Sequence, residues 1–172
     1  ALDNAVAVAQ GHVPLALGVE TNGSVIAPAA YNGVFGLKAT MGLLSTEGVM
    51  TSSRQDSIGT FTRNVCDAAE ALNAMTETKA YTVGLSSDAL KGKRIGYTSL
   101  PELSAEDAKD PAKRADYKHY QEALEVLKSQ GAILVPVGRL DEGVPEETYV
   151  EYNEALFSDV KQKLEEYLAG RE

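Results

Sequence analysis

Apolar positions in the first 75 residues form short runs that are separated by turns rich in glycine. The small apolar residues of Ala5–Gln10 stop at a glycine, which favours a helix over a strand. Two further runs, Pro14–Gly18 and Val34–Lys38, are predicted to be buried strands, because each is short, apolar and bounded by turn residues. Asn64 is expected to cap a helix. The apolar face of that helix is predicted to contain Val65, Ala68, Ala69, Leu72 and Met75.

The rest of the chain shows the longer period of amphipathic helices. Strands are predicted at Arg94–Thr98 and Ala132–Val137, with a helix between them from about Asp110 to Gln130. The apolar face of this helix is predicted to contain Tyr117, Tyr120, Leu124 and Leu127. In the last predicted helix an apolar residue recurs every four positions, at Tyr152, Leu156, Val160, Leu164 and Leu168. This alternation predicts an α/β fold with a mixed β-sheet core flanked by helices.

Charged residues divide the chain into two parts. Nine of the first 75 residues are charged, against 32 of the remaining 97. Residues 1–75 are therefore predicted to form a core, and a polar linker is expected at 76–87. Residues 88–172 are predicted to continue the same domain as a more exposed α/β segment.

The net charge restricts the classes of partner. The chain has 16 basic and 25 acidic side chains, a net charge of -9 at pH 7 and a pI near 4.8. This excess of acidic groups opposes binding to nucleic acid phosphates and to anionic membrane surfaces, so neither partner is expected. No apolar run approaches the roughly 20 residues that span a bilayer, and no export signal is visible. A cytoplasmic protein is predicted.

The residues that most often bind metals or form disulfides are few. Cys66 is the single cysteine, so it cannot form an intrachain disulfide, and it is expected to be a buried small residue of its helix. His12 and His119 are far apart in the sequence and are expected to have surface or packing roles. No metal site is predicted.

Ser24 follows a predicted strand and a glycine turn, at the expected start of a helix. Such a turn exposes successive backbone N–H groups, which can hold an oxyanion next to a nucleophilic hydroxyl. The local pattern alone favours another role, because a serine at this place is more often the N-cap of a helix. Seven of the fifteen glycines lie between Gly18 and Gly59, which indicates a buried site formed by loops.

Six segments around Ser24 carry a longer pattern. They are Gly18-Val-Glu-Thr-Asn-Gly-Ser24, Pro28-Ala-Ala, Asn32-Gly-Val-Phe-Gly-Leu-Lys-Ala-Thr40, Gly42-Leu-Leu-Ser-Thr-Glu-Gly48, Gln55-Asp-Ser-Ile-Gly59 and Thr62-Arg63-Asn-Val-Cys-Asp-Ala-Ala69. In order and spacing they resemble the amidase signature family, closely over roughly residues 5–75. Leu90–Gly96 and Glu154–Leu168 resemble later segments of the same family. The Glu20-Thr21 pair is more similar to the peptide amidase and general amidase branch than to the tRNA amidotransferase branch.

The resemblance implies a hydrolase that cleaves carboxamides with a Ser–Ser–Lys triad and needs no cofactor. Ser24 would be the acylated nucleophile. The oxyanion hole would be formed by the backbone N–H groups of Thr21, Asn22 and Gly23, together with that of the serine. The substrate would be a small-molecule or peptide amide. The family's bridging serine and lysine would both precede Ala1, so the 172 residues are expected to be a central portion that is inactive alone.

Two alternatives from other functional classes stay open. One is a non-catalytic remnant that self-associates or binds a partner through an uncovered core surface. The other is a component of an amidotransferase, which hands ammonia to the substrate of a second subunit. Under every alternative, Asp56 and Arg63 are expected to pair and brace the region around Ser24, and Ser45 is expected to bond a neighbouring loop.

Overall fold

The computed structural model describes residues 2–98, 103–138 and 143–170, which form two compact units. The first unit comprises residues 1–85 and 145–172, and the second comprises residues 86–144. Both units combine strands and helices, which confirms the predicted α/β class. The predicted domain boundaries at residues 75 and 87 stay a prediction. Among the helices in the described ranges, none combines the length and apolar character needed to span a bilayer.

The first unit is built on a three-stranded antiparallel sheet in the order β1-β3-β2. The predicted strands are confirmed as β1 (Leu15–Glu20) and β2 (Phe35–Lys38), and the central strand β3 is Ser57–Thr62. All six residues of β3 are buried. The sequence pattern did not predict β3, because a strand buried on both faces lacks the apolar and polar alternation of a half-exposed strand.

Helices cover both faces of this sheet. On one face, α1 (Leu2–Ala9) and α2 (Ile26–Asn32) share a core whose buried members are Ala5, Val8, Val25, Ala29 and Phe61. On the other face, α3 (Val65–Thr76) and the short α4 (Ala80–Val83) pack over a second core, whose buried members are Ala39, Leu44, Ile58 and Leu72. Neighbouring residues of a strand point to opposite faces, which is why β3 contributes to both cores.

Glycine lets α2 lie close to the sheet. A Cβ atom placed on Gly36 of β2 would lie 2.6 Å from the Cβ of Ala29 in α2, closer than two carbon atoms can pack. The first turn of α2 also carries Val25, which is fully buried against the sheet. The segment that joins β1 to α2 is therefore fixed at the end of β1.

The predicted helix after Asn64 is confirmed as α3, and its cap is formed as expected. The Asn64 side chain accepts a hydrogen bond from the backbone N–H of Asp67 at 2.9 Å. Two predictions for this helix are wrong. Val65 is 48% exposed, because it lies in the first turn before the first buried residue, Ala68. Cys66 is also exposed, since helical rotation of about 100° per residue points it away from the buried face.

The second unit is a strand–helix–strand motif. The parallel strands β4 (Arg94–Thr98) and β5 (Ile133–Val137) are joined through α5 (Pro111–Ser129), as the sequence predicts. The four predicted apolar positions of α5 are the ones that are half-buried, while the other residues of the helix are exposed. The Tyr120 hydroxyl donates a hydrogen bond to the carbonyl oxygen of Thr98 at 2.7 Å, which fixes α5 on β4.

The last helix, α6 (Glu146–Ala169), belongs to the first unit. Its predicted apolar face is only partly correct: Tyr152 and Leu156 are half-buried, but Leu164 and Leu168 are 38% and 56% exposed. Each step of four residues turns about 40° beyond a full helical turn, so four steps carry the stripe about 160° around the helix. The covered side continues instead through Asp159, Lys163 and Tyr167.

Candidate active site

Ser24 lies exposed in the turn between β1 and α2, next to the fully buried Val25. The expectation of a buried site, which came from the glycine content, is therefore wrong at this residue. The N-cap position of α2 is occupied by Val25 and has no side-chain cap hydrogen bond. Within the described residues, the Ser24 hydroxyl has no hydrogen-bond partner, so it does not serve as the helix cap that the local pattern favoured.

The carboxylate of Glu20 takes the place of a cap. One oxygen, Oε2, accepts hydrogen bonds from the backbone N–H groups of Val25 and Ile26, both at 2.8 Å. Glu20 is the last residue of β1 and only 4% exposed, so this carboxylate lies under the turn. A negative group at the N-terminus of a helix satisfies amides that have no partner within the helix. The sequence contains no local signal for this role, because the cap residue precedes its helix by several positions.

The turn itself leaves backbone N–H groups unoccupied. Gly23 has a φ of 124°, a conformation that favours glycine, and its carbonyl accepts a hydrogen bond from the Ala27 N–H at 2.8 Å. For the amides from Thr21 through Ser24, no acceptor is found among the residues that the structure describes. An exposed hydroxyl and a set of unoccupied amide donors thus lie on the same turn.

Thr21 anchors the turn to the two neighbouring strands. Its hydroxyl donates to Oδ1 of Asp56 at 2.5 Å, and its carbonyl oxygen accepts a hydrogen bond from Nζ of Lys38. Asp56 is 7% exposed, and its other oxygen accepts hydrogen bonds from the backbone N–H and the hydroxyl of Ser52, at 2.6 and 3.1 Å. Lys38 ends β2 and Asp56 immediately precedes β3, so the sheet holds the turn from below.

The expected pair between Asp56 and Arg63 is not formed. Arg63 instead donates from Nη1 to the carbonyl oxygens of Val8 and Val13, at 3.4 and 3.3 Å. It therefore braces the connection between α1 and β1. Ser45 also differs from expectation, since its hydroxyl oxygen accepts a hydrogen bond from the nearby Glu47 N–H at 3.1 Å and reaches no other loop among the described residues.

An ion pair connects α6 to the loop before β3. Oδ1 of Asp159 lies 2.6 Å from Nη2 of Arg54, and Oδ2 accepts hydrogen bonds from Nε and the backbone N–H of the same arginine at 2.9 and 3.1 Å. Hydrogen bonds from the Arg54 side chain, its backbone and Ser53 hold the pKa of Asp159 well below its usual range. The same loop carries Asp56, so residues 52–56 contact both α6 and the turn.

The other candidate residues lie at the surface. His12 is exposed, and His119 pairs with Glu122, Nδ1 to Oε2 at 3.2 Å, where both side chains are more than half exposed. The hydrogen bond from His119 is the main reason that the pKa of Glu122 is lowered. Over the described ranges, no group of three or more His, Cys, Asp and Glu residues is arranged to hold a metal ion.

Comparison with known proteins gives matches over most of the chain. Residues 4–170 match the family model described as Amidase. The GatA-type subunit of glutamyl-tRNA(Gln) amidotransferase from Lactiplantibacillus plantarum is 38% identical over 147 residues, which cover 78% of this chain and 29% of that protein. The same subunit from Staphylococcus aureus is 40% identical over 148 residues, with the same coverage of 78% and 29%.

Solved structures give the same family. The crystal structure of native peptide amidase from Stenotrophomonas maltophilia is 33% identical, with a TM-score of 0.77 over 97% of this chain and 35% of that chain. An amidase family protein from Bacillus anthracis is also 33% identical, with a TM-score of 0.68 over 96% of this chain and 34% of that chain. The chain spans about a third of the length of these proteins, and it belongs to the amidase signature family.

Proposed function

We propose that this chain carries the nucleophile of a carboxamide hydrolase and that Ser24 is the residue acylated. One observation supports this most strongly: the Ser24 hydroxyl is exposed and unbonded within the described residues, while Glu20 performs the capping that would otherwise explain a serine here. The amides of Thr21, Asn22 and Gly23, with that of the serine, are the proposed oxyanion donors. No acceptor within the described residues competes for them.

The proposed reaction has two stages. The Ser24 oxygen attacks the carbonyl carbon of a small-molecule or peptide amide, and negative charge develops on the carbonyl oxygen. Backbone N–H groups of the turn stabilise that charge. The C–N bond then breaks, the nitrogen leaves as ammonia or an amine after it gains a proton, and water hydrolyses the resulting ester. This chemistry requires no cofactor. The likeness to peptide amidase supports an amide substrate.

The nucleophile needs a base that removes its proton, and none of the described residues contacts the Ser24 hydroxyl. The ammonium of Lys38 donates to the carbonyl of Thr21, so it is not placed as that base. A serine hydroxyl without a base stays protonated near neutral pH and is a poor nucleophile. We therefore propose that the 172 residues do not hydrolyse amides alone, and that the bridging serine and lysine implied by the family must be supplied.

The test is release of amine or ammonia from simple carboxamides. It would compare the chain alone with the chain joined to a segment of an amidase signature relative that carries the lysine and the bridging serine. We expect turnover only in the joined protein, and none after Ser24→Ala. Turnover by the chain alone, or turnover that survives Ser24→Ala, would contradict the proposal. A joined protein that is folded but inactive would support the non-catalytic alternative.

A second candidate function is supported by the sequence relatives. Two amidotransferase subunits are 38% and 40% identical to this chain, so a role in which ammonia passes to a second subunit fits the same site. This role predicts that the protein co-purifies with another subunit, which mass spectrometry of a tagged complex would reveal. Purification without such a partner, with full amide turnover, would favour the hydrolase. The Glu20-Thr21 pair favours the hydrolase mildly.

A further inference from the structure

We propose that Lys38 is a positioning residue for the oxyanion turn, because its ammonium orients and polarises the peptide group between Thr21 and Asn22. This inference rests on the proposed function, in which the N–H of that peptide is an oxyanion donor. It assigns a role in the reaction to a lysine that the sequence placed only in a structural segment.

Lys38 approaches the turn from a different strand. It is the last residue of β2, half-buried, and paired in register with Gly59 of the central strand. From there its Nζ donates a hydrogen bond to the carbonyl oxygen of Thr21, which is 17 positions away in the sequence. The side chain of Thr21 is held separately by Asp56. The two contacts fix both the side chain and the carbonyl direction of one residue.

The carbonyl and the N–H of a peptide bond lie in one conjugated plane. When the Thr21 carbonyl oxygen points at Lys38, the N–H of Asn22 must point to the opposite side. A cationic donor on the oxygen draws electron density from the nitrogen, which makes the N–H a stronger donor, as in other cooperative hydrogen-bond chains. The N–H of Asn22 has no acceptor within the described residues, so this gain is available to a developing oxyanion.

The contact also settles the protonation role of Lys38. A carbonyl oxygen only accepts hydrogen bonds, so the lysine must be the donor in this contact. The stabilisation that it provides is realised when negative charge appears on the attacked carbonyl. Such an effect changes the rate of acylation more than the binding of substrate. A purely structural lysine would instead lower stability without this selectivity.

The first experiment uses the 172-residue chain and does not depend on activity. We would compare the amide resonance of Asn22 in 15N–1H spectra of the wild type, Lys38→Met and Lys38→Arg, with Lys161→Met as an exposed control. We expect the Asn22 proton signal to move upfield in Lys38→Met, to move less in Lys38→Arg and to stay unchanged in Lys161→Met. An unchanged Asn22 signal in folded Lys38→Met would overturn the proposal.

The second experiment uses the joined protein described above and separates kcat from KM. Removing one full oxyanion donor costs on the order of a hundredfold or more, and a weakened donor should cost less, so we expect Lys38→Met to lower kcat about tenfold with KM unchanged. Lys38→Arg should recover part of the rate. A rise in KM at constant kcat would overturn the role. If the joined wild type is inactive, the proposed function fails, and the Asn22 signal still decides the role of Lys38.

Discussion

At the scale of single residues, Thr60 stands out because its hydroxyl has no partner among the described residues. Thr60 lies in the middle of β3, is 1% exposed, and its Oγ1 is a buried polar atom without a hydrogen bond within the described chain. Leaving a buried polar group unpaired costs about 1–3 kcal/mol. Thr62 on the same strand is a natural comparison, since it is fully buried but its hydroxyl donates to the Asn64 carbonyl at 2.8 Å.

Thr60→Val should therefore raise the free energy of unfolding by about 1 kcal/mol, because it removes the unpaired hydroxyl at nearly constant shape. Thr62→Val should lower that free energy by about 1 kcal/mol, since it removes a hydrogen bond that is made. Urea unfolding of the two variants measures both values. Equal destabilisation by the two substitutions would show that the Thr60 hydroxyl is satisfied in solution.

Gly23 is the residue whose backbone shapes the site. Its φ of 124° strains any residue with a Cβ, although the space around it is open. We expect Gly23→Ala to lower the free energy of unfolding by about 1–2 kcal/mol through backbone strain alone. Gly84→Ala is the control, because Gly84 also has open space around it but a φ of -90° that alanine adopts freely. Urea midpoints that shift equally in the two variants would contradict this origin.

At this scale the nucleophile segment could be predicted from the sequence, but the groups that hold it could not. Ser24 and its turn could be found because the motif is local. Glu20, Lys38 and Asp56 act on the turn across strand boundaries, and the expected partner of Asp56 was wrong. Local patterns report which residues share an element, whereas these contacts depend on which strands become neighbours. The exposure of Cys66 was missed for a simpler reason, since its place in the first turn of α3 directs it outwards.

At the scale of elements, the position of α2 on the sheet determines where Ser24 lies. Gly36→Ala would place a methyl group 2.6 Å from the Cβ of Ala29, so α2 would have to move or strain. We expect this variant to lose about 1–3 kcal/mol of stability, as overpacked cores do. Adding Ala29→Gly removes the clashing atom.

The double variant tests whether that contact is the cause. Ala29→Gly alone should cost about 1 kcal/mol, because glycine is a poor helix former. Together the two substitutions should cost less than the sum of their separate effects, since each relieves the other. Strict additivity in urea unfolding would show that Gly36 is needed for another reason.

The contact between α6 and the loop before β3 gives a pH dependence. The pKa of Asp159 is lowered in the folded protein, so its stabilising effect is full above the pKa of an unfolded aspartate, about 3.9. That effect is lost as the pH falls through the lower folded-state value. Asp159→Asn should therefore lower Tm at neutral pH, and its difference from the wild type should shrink in strong acid.

Glu166→Gln on the same helix is the matched control for Asp159. Glu166 pairs with Lys163 one turn away at 2.8 Å and is half exposed, so its local ion pair should contribute little to stability. We expect a Tm close to that of the wild type. A constant difference between Asp159→Asn and the wild type across the acid range would show that the Arg54 contact is not the source of the effect.

Elements with a clear period were predicted well, and the others were not. The four apolar positions of α5 repeat at helical spacing and are its half-buried face. The strand β3 has no such period because both of its faces are covered. In α6 the apolar residues drift around the helix, and the buried Asp159 lies on the covered face because Arg54 pairs with it. Its burial depends on a residue 105 positions away, which no periodic pattern reports.

At the scale of the whole molecule, the turn around Ser24 is preformed, while the group that would activate the serine is not present among the described residues. The amides of the turn and the hydroxyl are in place and unoccupied within that part of the chain. The lysine nearest in role, Lys38, is engaged with the Thr21 carbonyl. The chain spans about a third of the amidase structures that it matches, which is consistent with activating groups supplied from elsewhere.

The most direct measurement is intact mass after treatment with a serine-directed fluorophosphonate, followed by peptide mapping of the modified residue. The probe forms a covalent bond only with an activated serine, so it reports the nucleophile without knowledge of the substrate. We expect no adduct on the chain alone and a single adduct on Ser24 once the lysine and bridging serine are supplied. An adduct on the chain alone, or on a serine other than Ser24, would contradict a preformed turn that waits for its base.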